Sequence, residues 1–411
     1  MLFTNPQATR RPYDPDLQRV MNLAQGHESR QWLSGWTQLR LGSTPLHALP
    51  HLARQLGLGQ IHVKDESVRS PLASFKALGA PVALLRLVRR QWPAETWAPA
   101  DLLAGRHASA LDGFTVISAT DGNHGRALAA AAQSIGCRCV IVLHAHVSAE
   151  REQPIRDLGA EIVRIAGNYD DSVQEAERLA RAHGWWVVSD TSYDGYEEIP
   201  RDVMQGYGIL VEELLEQIPM RTDGACPFTH VLLQGGVGGL AAGVVGHFWE
   251  RYGARRPAFI AVEPEQADCL LQSAIAGRPA RATGSVDSVM AGLACGETSP
   301  LAWRFLQPAV DLFMTVGDAQ AEEAMRTLAN GAAGDMPLLS GESGAAGLAG
   351  LAALMANPEL AAQAGLGADS RVLLISTEGA TAPGVYQAIT GRSPASVLQG
   401  QLAWMARPLH G

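Results

Sequence analysis

An amine held at a fixed point can condense with an aldehyde, and Lys76 stands where such a point would be. It ends Ser74-Phe75-Lys76, after a strand expected from Ile61 to Lys64 and a Ser/Pro-rich turn, where a helix is expected to begin. Schiff-base chemistry needs a lysine that is positioned and partly desolvated. Taken alone, the tripeptide also describes a solvated lysine at a helix start.

A second constellation follows the apolar run His230 to Leu233, which reads as a buried strand. It leads through Gln234 into Gly235-Gly236-Val237-Gly238-Gly239, and Leu240 to Phe248 then has helical composition. Glycines allow successive backbone N–H groups to converge on an anion at a helix N-terminus, which makes this stretch a phosphate cup. The same residues satisfy the dinucleotide pattern G-x-G-x-x-A from Gly236 to Ala241, with Glu263 ending the next apolar run, Ala258 to Val262. Spacing therefore leaves open a nicotinamide-binding or non-catalytic Rossmann-like protein. A third stretch separates the readings. Ser118-Ala119-Thr120-Asp121-Gly122-Asn123-His124-Gly125-Arg126 follows the strand Thr115 to Ser118 and opens an Ala-rich helix ending near Gly136, a hydroxyl-rich helix N-terminus suited to a carboxylate. A lysine, one anion site for a phosphate and one for an amino-acid carboxylate describe a pyridoxal phosphate (PLP) enzyme better than a nicotinamide enzyme.

With these three stretches in hand, the chain resembles the fold type II PLP enzymes, and within them the diaminopropionate ammonia-lyase family. The narrower likeness rests on Asp121-Gly122-Asn123-His124-Gly125-Arg126, on Asp190-Thr191-Ser192-Tyr193-Asp194-Gly195-Tyr196-Glu197-Glu198-Ile199-Pro200 with Met204-Gln205-Gly206-Tyr207, on Gly292 to Glu297, and on Ser376-Thr377-Glu378-Gly379-Ala380-Thr381. These landmarks run in family order from about residue 40 to 385. Two departures stand out: Ala380 where the family motif usually has aspartate, and Ser74 before Phe75, nearer the dehydratase form.

The resemblance implies roles residue by residue. Lys76 would hold PLP as a Schiff base and then act as a base on the L-enantiomer. Asp121 would deprotonate the D-enantiomer from the opposite face, and Asp190 would help recognise the amino groups. Gly235, Gly236, Val237, Gly238 and Gly239 would bind the phosphate, Asn123 would meet the ring hydroxyl and Ser376 the pyridine nitrogen. Thr120, Asp121, Gly122 and Asp190 would contact substrate. The implied reaction is α,β-elimination of 2,3-diaminopropionate to pyruvate and two ammonia, an amino-acid catabolic step. Serine or threonine dehydration, racemisation or another β-elimination on the same fold is the alternative. The family likeness also implies a homodimer, and Cys269 and Cys295 fall where family members can form a disulfide near the site entrance. In a reducing cytosol these two remain buried thiols by default.

The surrounding elements must bring these residues together. From Thr115 the chain alternates strand and helix: strands Thr115–Ser118, Cys139–Leu143, Glu161–Ile165 and Trp185–Ser189, with a helix over about Asp170–Ala182. A second series begins at His230 and includes Ala258–Val262, Asp311–Val316 and Arg371–Ser376. This is an α/β pattern with parallel sheets. The family architecture implies two parallel-sheet domains with the site in the cleft between them: a larger one from residues 1–85 and 206–411, and a smaller one from 86–205. Pro81 should start a new helical segment or kink its helix, and Gly341 to Gly344 should open another. Segment 276–300, rich in Gly, Ala and Ser, reads as an entrance loop.

Composition agrees. With 411 residues, 47% of them hydrophobic, the chain can fill two cores, and a net charge of −9 speaks against nucleic acid. Five cysteines without matching histidine spacing suggest neither a metal site nor a disulfide framework. No long uncharged apolar stretch and no apolar signal core from Met1 to Asp16 lead to the expectation of a soluble, cytoplasmic protein away from membranes, acting on a small amino acid.

Overall fold

The apolar runs become strands of two sheets with parallel cores. The computed structural model describes residues 1–120, 122–219 and 221–407. Its strands are β1 (Leu2–Thr4), β2 (Leu46–Ala48), β3 (Gln60–Asp65), β4 (Thr115–Ala119), β5 (Arg138–Leu143), β6 (Glu161–Arg164), β7 (Trp186–Val187), β8 (His230–Gln234), β9 (Ala258–Pro264), β10 (Leu312–Val316) and β11 (Arg371–Ser376). Seven pair in the order β1-β10-β9-β8-β11-β3-β2 and four in the order β6-β5-β4-β7. The smaller sheet is parallel throughout. In the larger one only the short edge strands β1 and β2 run antiparallel.

Parallel strands are covered on both faces, so β4, β8 and β10 are buried at every residue. Successive side chains then enter opposite layers. Val231 and Leu233 of β8, Phe259 and Ala261 of β9, and Leu373 and Ile375 of β11 join one apolar core. Leu232, Ile260, Val262, Val372 and Leu374 join another on the far face. In the smaller sheet Ile117, Ala119, Val140 and Val142 pack against Ala176 and Ala180 of the helix Tyr169–His183. That helix starts where Asn168 Oδ1 accepts the Asp171 N–H at 3.0 Å and the Asp171 carboxylate accepts the Asn168 N–H at 2.9 Å.

The differences from the sequence reading lie at edges. β7 spans Trp186–Val187 rather than 185–189, because it pairs only with Val116 and Ile117 of β4 before the chain turns away toward Ser189 and Asp190. β5 begins at Arg138, one residue before the expected Cys139. β1 and β2, three residues each, are too short to show an alternation.

The lysine segment is a 3-10 turn, Phe75–Leu78, and a new helix, Ala80–Gln91, starts after it with Pro81 in its first turn. No N–H is missed there, because first-turn N–H groups have no carbonyl partner. The helix Glu198–Gln217 crosses this segment with almost no gap: a Cβ on Gly206 would lie 2.2 Å from the Leu78 carbonyl oxygen. The chains leaving β3, β4, β7, β8 and β11 all issue from C-terminal strand ends, where open α/β sheets place ligands. Gly206→Ala is expected to destabilise the fold by about 1–3 kcal/mol through overpacking against backbone. A urea unfolding midpoint equal to that of the unsubstituted protein would contradict the close crossing.

Candidate active site

Lys76 is seated by neighbouring backbone. The Phe75 N–H donates to the Thr377 carbonyl at 3.0 Å and the Gly379 N–H to the Ala73 carbonyl at 2.9 Å, so the chain leaving β3 is bound onto the chain leaving β11. Ser74 and Glu378 face each other across an antiparallel bridge. Ala73 takes a φ of 52° at the bend, a left-handed conformation uncommon outside glycine. Ser74 Oγ then accepts the Lys76 N–H at 3.3 Å, and the Phe75 ring packs on Tyr207 with centroids 4.8 Å apart.

The Lys76 amine reaches the carboxylate of Asp190, delivered by the loop after β7. Burial pushes the Asp190 carboxyl up, but the Lys76 charge and hydrogen bond bring it down to about 2. It is therefore ionised at neutral pH. His124 Nε2 donates to the Val188 carbonyl at 2.8 Å, which leaves Nδ1 as a lone pair 3.9 Å from Asp190 Oδ2. Burial lowers the His124 pKa below its ordinary value.

Asn123 opens the helix Asn123–Ile135 beside them. Its Nδ2 donates to the Glu378 carboxylate, and its Oδ1 accepts from Arg126 Nη2 at 3.3 Å. Thr120 Oγ1 accepts the N–H groups of Gly122 at 3.0 Å and Gly125 at 3.1 Å, tying down the same helix start. Asp121 lies outside the described residues.

The glycine stretch forms the opposite wall. Gly238 has a φ of 99°, and a Cβ there would meet Leu306 Cδ1 at 2.9 Å, while one on Gly235 would meet Glu263 Cγ at 2.5 Å. The helix Gly239–Tyr252 begins here. Its first N–H groups have no carbonyl behind them and its dipole is positive at this end, so a phosphate fits the cup. The dinucleotide alternative fails on Glu263. That carboxyl is fully buried and accepts the N–H groups of Leu270 and Leu271, both at 2.8 Å, so it has no reach to a ribose.

One cleft joins Lys76, Asn123, Asp190, Gly235, Gly236, Val237, Gly239 and Glu378. Ser376 is buried behind the wall, with Oγ donating to Ser340 Oγ at 2.9 Å, while Thr377 and Glu378 beyond it reach the cleft. Gly292 and Leu293 of the entrance segment also line it, and the Gly292 N–H donates to Ser343 Oγ at 3.0 Å. Cys269 and Cys295 are buried thiols beside Gly236 of the cup: Cys269 Sγ donates to the Gly236 carbonyl at 3.4 Å, and a Cβ on Gly236 would lie 3.8 Å from Cys295 Sγ. Sequence reasoning gave no role to His124, Tyr207 or Glu378. All three stand inside motifs it singled out, but nothing in their spacing says which side chain each would meet.

A lysine at one strand end, an anion cup at another and a cleft between two parallel-cored sheets define an α/β enzyme of the fold type II PLP class. The chain belongs to the pyridoxal-phosphate dependent enzyme family, whose model matches residues 37–378. It is 42% identical over 360 residues to a diaminopropionate ammonia-lyase of Salmonella typhimurium, covering 85% of this chain and 89% of that one. Among solved structures, diaminopropionate ammonia lyase from Escherichia coli in complex with an aminoacrylate-PLP azomethine reaction intermediate matches with a TM-score of 0.83 and 37% identity, over 95% of this chain and 96% of that one. The same enzyme in complex with D-serine matches with a TM-score of 0.84 and 38% identity over the same shares.

The residues present fit the cofactor of the family: Lys76 would supply the amine, Gly235–Gly239 the phosphate site and Asn123 a polar partner for the ring. Lys76→Ala is expected to lose the absorbance of covalently held cofactor at roughly 410–420 nm and its response to borohydride, since both require the lysine amine. Retention of that band in the variant would place the covalent link elsewhere.

Proposed function

We propose that this protein cleaves 2,3-diaminopropionate, with water, to pyruvate and two ammonia. Bound PLP supplies an electron sink for the α-carbon, which makes loss of the β-substituent feasible. The rest is done by the chain. The Gly235–Gly239 cup holds the phosphate, the closed faces of the cleft limit access of water, and Lys76 removes the α-proton of the L-enantiomer. A base must stand about 2.6–3.2 Å from its proton, directly or through one water, which suits a lysine fixed by backbone on both sides.

The observation that carries the diamino substrate is the Asp190 carboxylate. It is buried in the cleft and ionised, and its cation in the structure is Lys76. When the Lys76 amine is committed to the cofactor, the carboxylate needs another positive group, because a buried charge left unpaired is costly. A second ammonium on the substrate meets that need, and a β-hydroxyl does not. His124 Nδ1, lacking a hydrogen-bond partner among the described residues, faces the same carboxylate. Asp121 is assigned as the base for the D-enantiomer, a role supported by the family likeness.

We also assign residues 1–85 and 206–411 to a larger domain and 86–205 to a smaller one. Support comes from the smaller sheet, whose strands all lie between Thr115 and Val187. Both limits fall inside helices, Ala80–Gln91 and Glu198–Gln217, which pack against each other where the two parts of the chain join. The likeness to the family supports a homodimer and a cytoplasmic setting. No helix among the described residues is long and apolar enough to cross a membrane.

A panel of amino acids assayed for both products tests the substrate. Diaminopropionate should give two ammonia per pyruvate and outpace serine and threonine; preferred turnover of serine with one ammonia would replace the reading with dehydration. Asp121→Asn should lower kcat/KM on the D-enantiomer by about 10²–10⁴ with a much smaller loss on the L-enantiomer. Equal losses would remove Asp121 from the base role.

A further inference from the structure

Beside Asn123 lies a pair of buried carboxyl groups to which the elimination assigns no role, Glu378 at the edge of the cleft and Glu342 behind it. Glu378 is 3% exposed, and Glu342, in the turn Gly341-Glu342-Ser343-Gly344, is 1% exposed. The turn is pressed onto Glu378. The Gly341 N–H donates to the Glu378 carbonyl at 2.9 Å, the Ser343 N–H donates to Glu378 Oε1 at 3.1 Å, and a Cβ on Gly344 would meet the Glu378 carbonyl oxygen at 2.8 Å. Glu378 Oε2 takes the Asn123 amide.

Asn123 is thereby gripped at both ends. A guanidinium only donates and a carboxylate only accepts, so Arg126 at Oδ1 and Glu378 at Nδ2 define which end of the amide is which. Nδ2 carries two hydrogens and Glu378 takes one, leaving the other for an acceptor. Glu342 is in a different state. Neither of its oxygens has a hydrogen-bond partner among the described residues, and Arg151 Nη2 faces Oε1 at 3.5 Å. Burial and then the Glu378 charge push its carboxyl up to about 7, against the pull of Arg151 and with a further push from Glu150. Arg126 faces Glu378 from the Asn123 helix.

We propose that Glu378 is the positioning residue that turns Asn123 so that an amide N–H, not the carbonyl, meets the cofactor's ring hydroxyl, and that Glu342 holds a proton so that only one carboxylate stands behind it. This rests on PLP in the cleft but not on which amino acid is cleaved. An N–H there favours the negatively charged ring oxygen, and a carbonyl would repel it. Because the Glu342 carboxyl is raised in the folded protein, its protonated form prevails below about 7 and is lost as pH rises through that value. Above it, a second buried negative charge works against an anionic cofactor.

The test reads PLP affinity by equilibrium dialysis and the bound-cofactor absorbance over roughly pH 6 to 9, with circular dichroism as the check on folding. Glu378→Gln offers one carbonyl to two donors and should weaken PLP binding about tenfold or more throughout the range. Glu342→Gln, neutral at every pH, should match the unsubstituted protein within about twofold at the acid end and lose its decline toward the alkaline end. Unchanged affinity in Glu378→Gln overturns the positioning role. A Glu342→Gln curve that follows the unsubstituted protein overturns the proton-holding role. If Glu378→Gln does not fold, Glu378→Asp, which draws the carboxylate back from Asn123, takes its place, and unchanged affinity there overturns the positioning role. Neither readout depends on the substrate, so one ammonia per pyruvate in the product assay would sink the diaminopropionate reading without touching this one.

Discussion

Two backbone hydrogen bonds, from Phe75 to Thr377 and from Gly379 to Ala73, seat the amine around which the rest of the site is arranged. They exist because β3 and β11 are adjacent parallel strands in register from Gln60 with Arg371 to Asp65 with Ser376, so their exits leave the sheet side by side. The chain after β3 turns through Glu66–Val68 and comes back against the exit of β11, so that Ser74 and Glu378 meet across an antiparallel bridge just beyond the sheet. A lysine on a free loop would sweep many rotamers. Here its backbone is held before the side chain does anything.

The smaller sheet supplies what faces that amine. Asn123 and His124 come from the start of the helix after β4, and Asp190 from the chain leaving β7. The strand ends of one sheet thus carry the cation and those of the other its carboxylate, and the cleft exists where they meet. Burying such a pair is expensive unless both members are satisfied, which makes the Lys76–Asp190 contact poor evidence of stability. The glycine cup beside it works through absence of side chains: a Cβ at Gly235 or Gly238 would collide with Glu263 or Leu306 before any ligand arrived.

Much of this was legible without coordinates. The strand from Arg371 to Ser376 matches the sequence reading at both ends, and β8 and β9 match at their starts. Buried parallel strands announce themselves as unbroken apolar runs, and the helix from Asn123 ends at Gly136 with a φ of 82°, as a glycine stop should. Edges were harder. Short strands such as β1 and β2 owe their conformation to a neighbour distant in the chain, Phe3 to Phe313 and His47 to Val63, and no local period records that.

The sequence by itself determined the α/β alternation and the family likeness, and it singled out Lys76 and the glycine stretch at a helix start, because each motif depends on residues a few positions apart. Only the tertiary structure decided that Lys76 meets Asp190, that Asn123 meets Glu378 at a separation of 255 residues, and that Glu263 caps a neighbouring helix rather than binding a ribose. Those pairings follow from how two sheets and their connecting segments pack. Charge and hydrogen-bond partners are chosen by distance in space, and that distance has no fixed relation to distance along the chain.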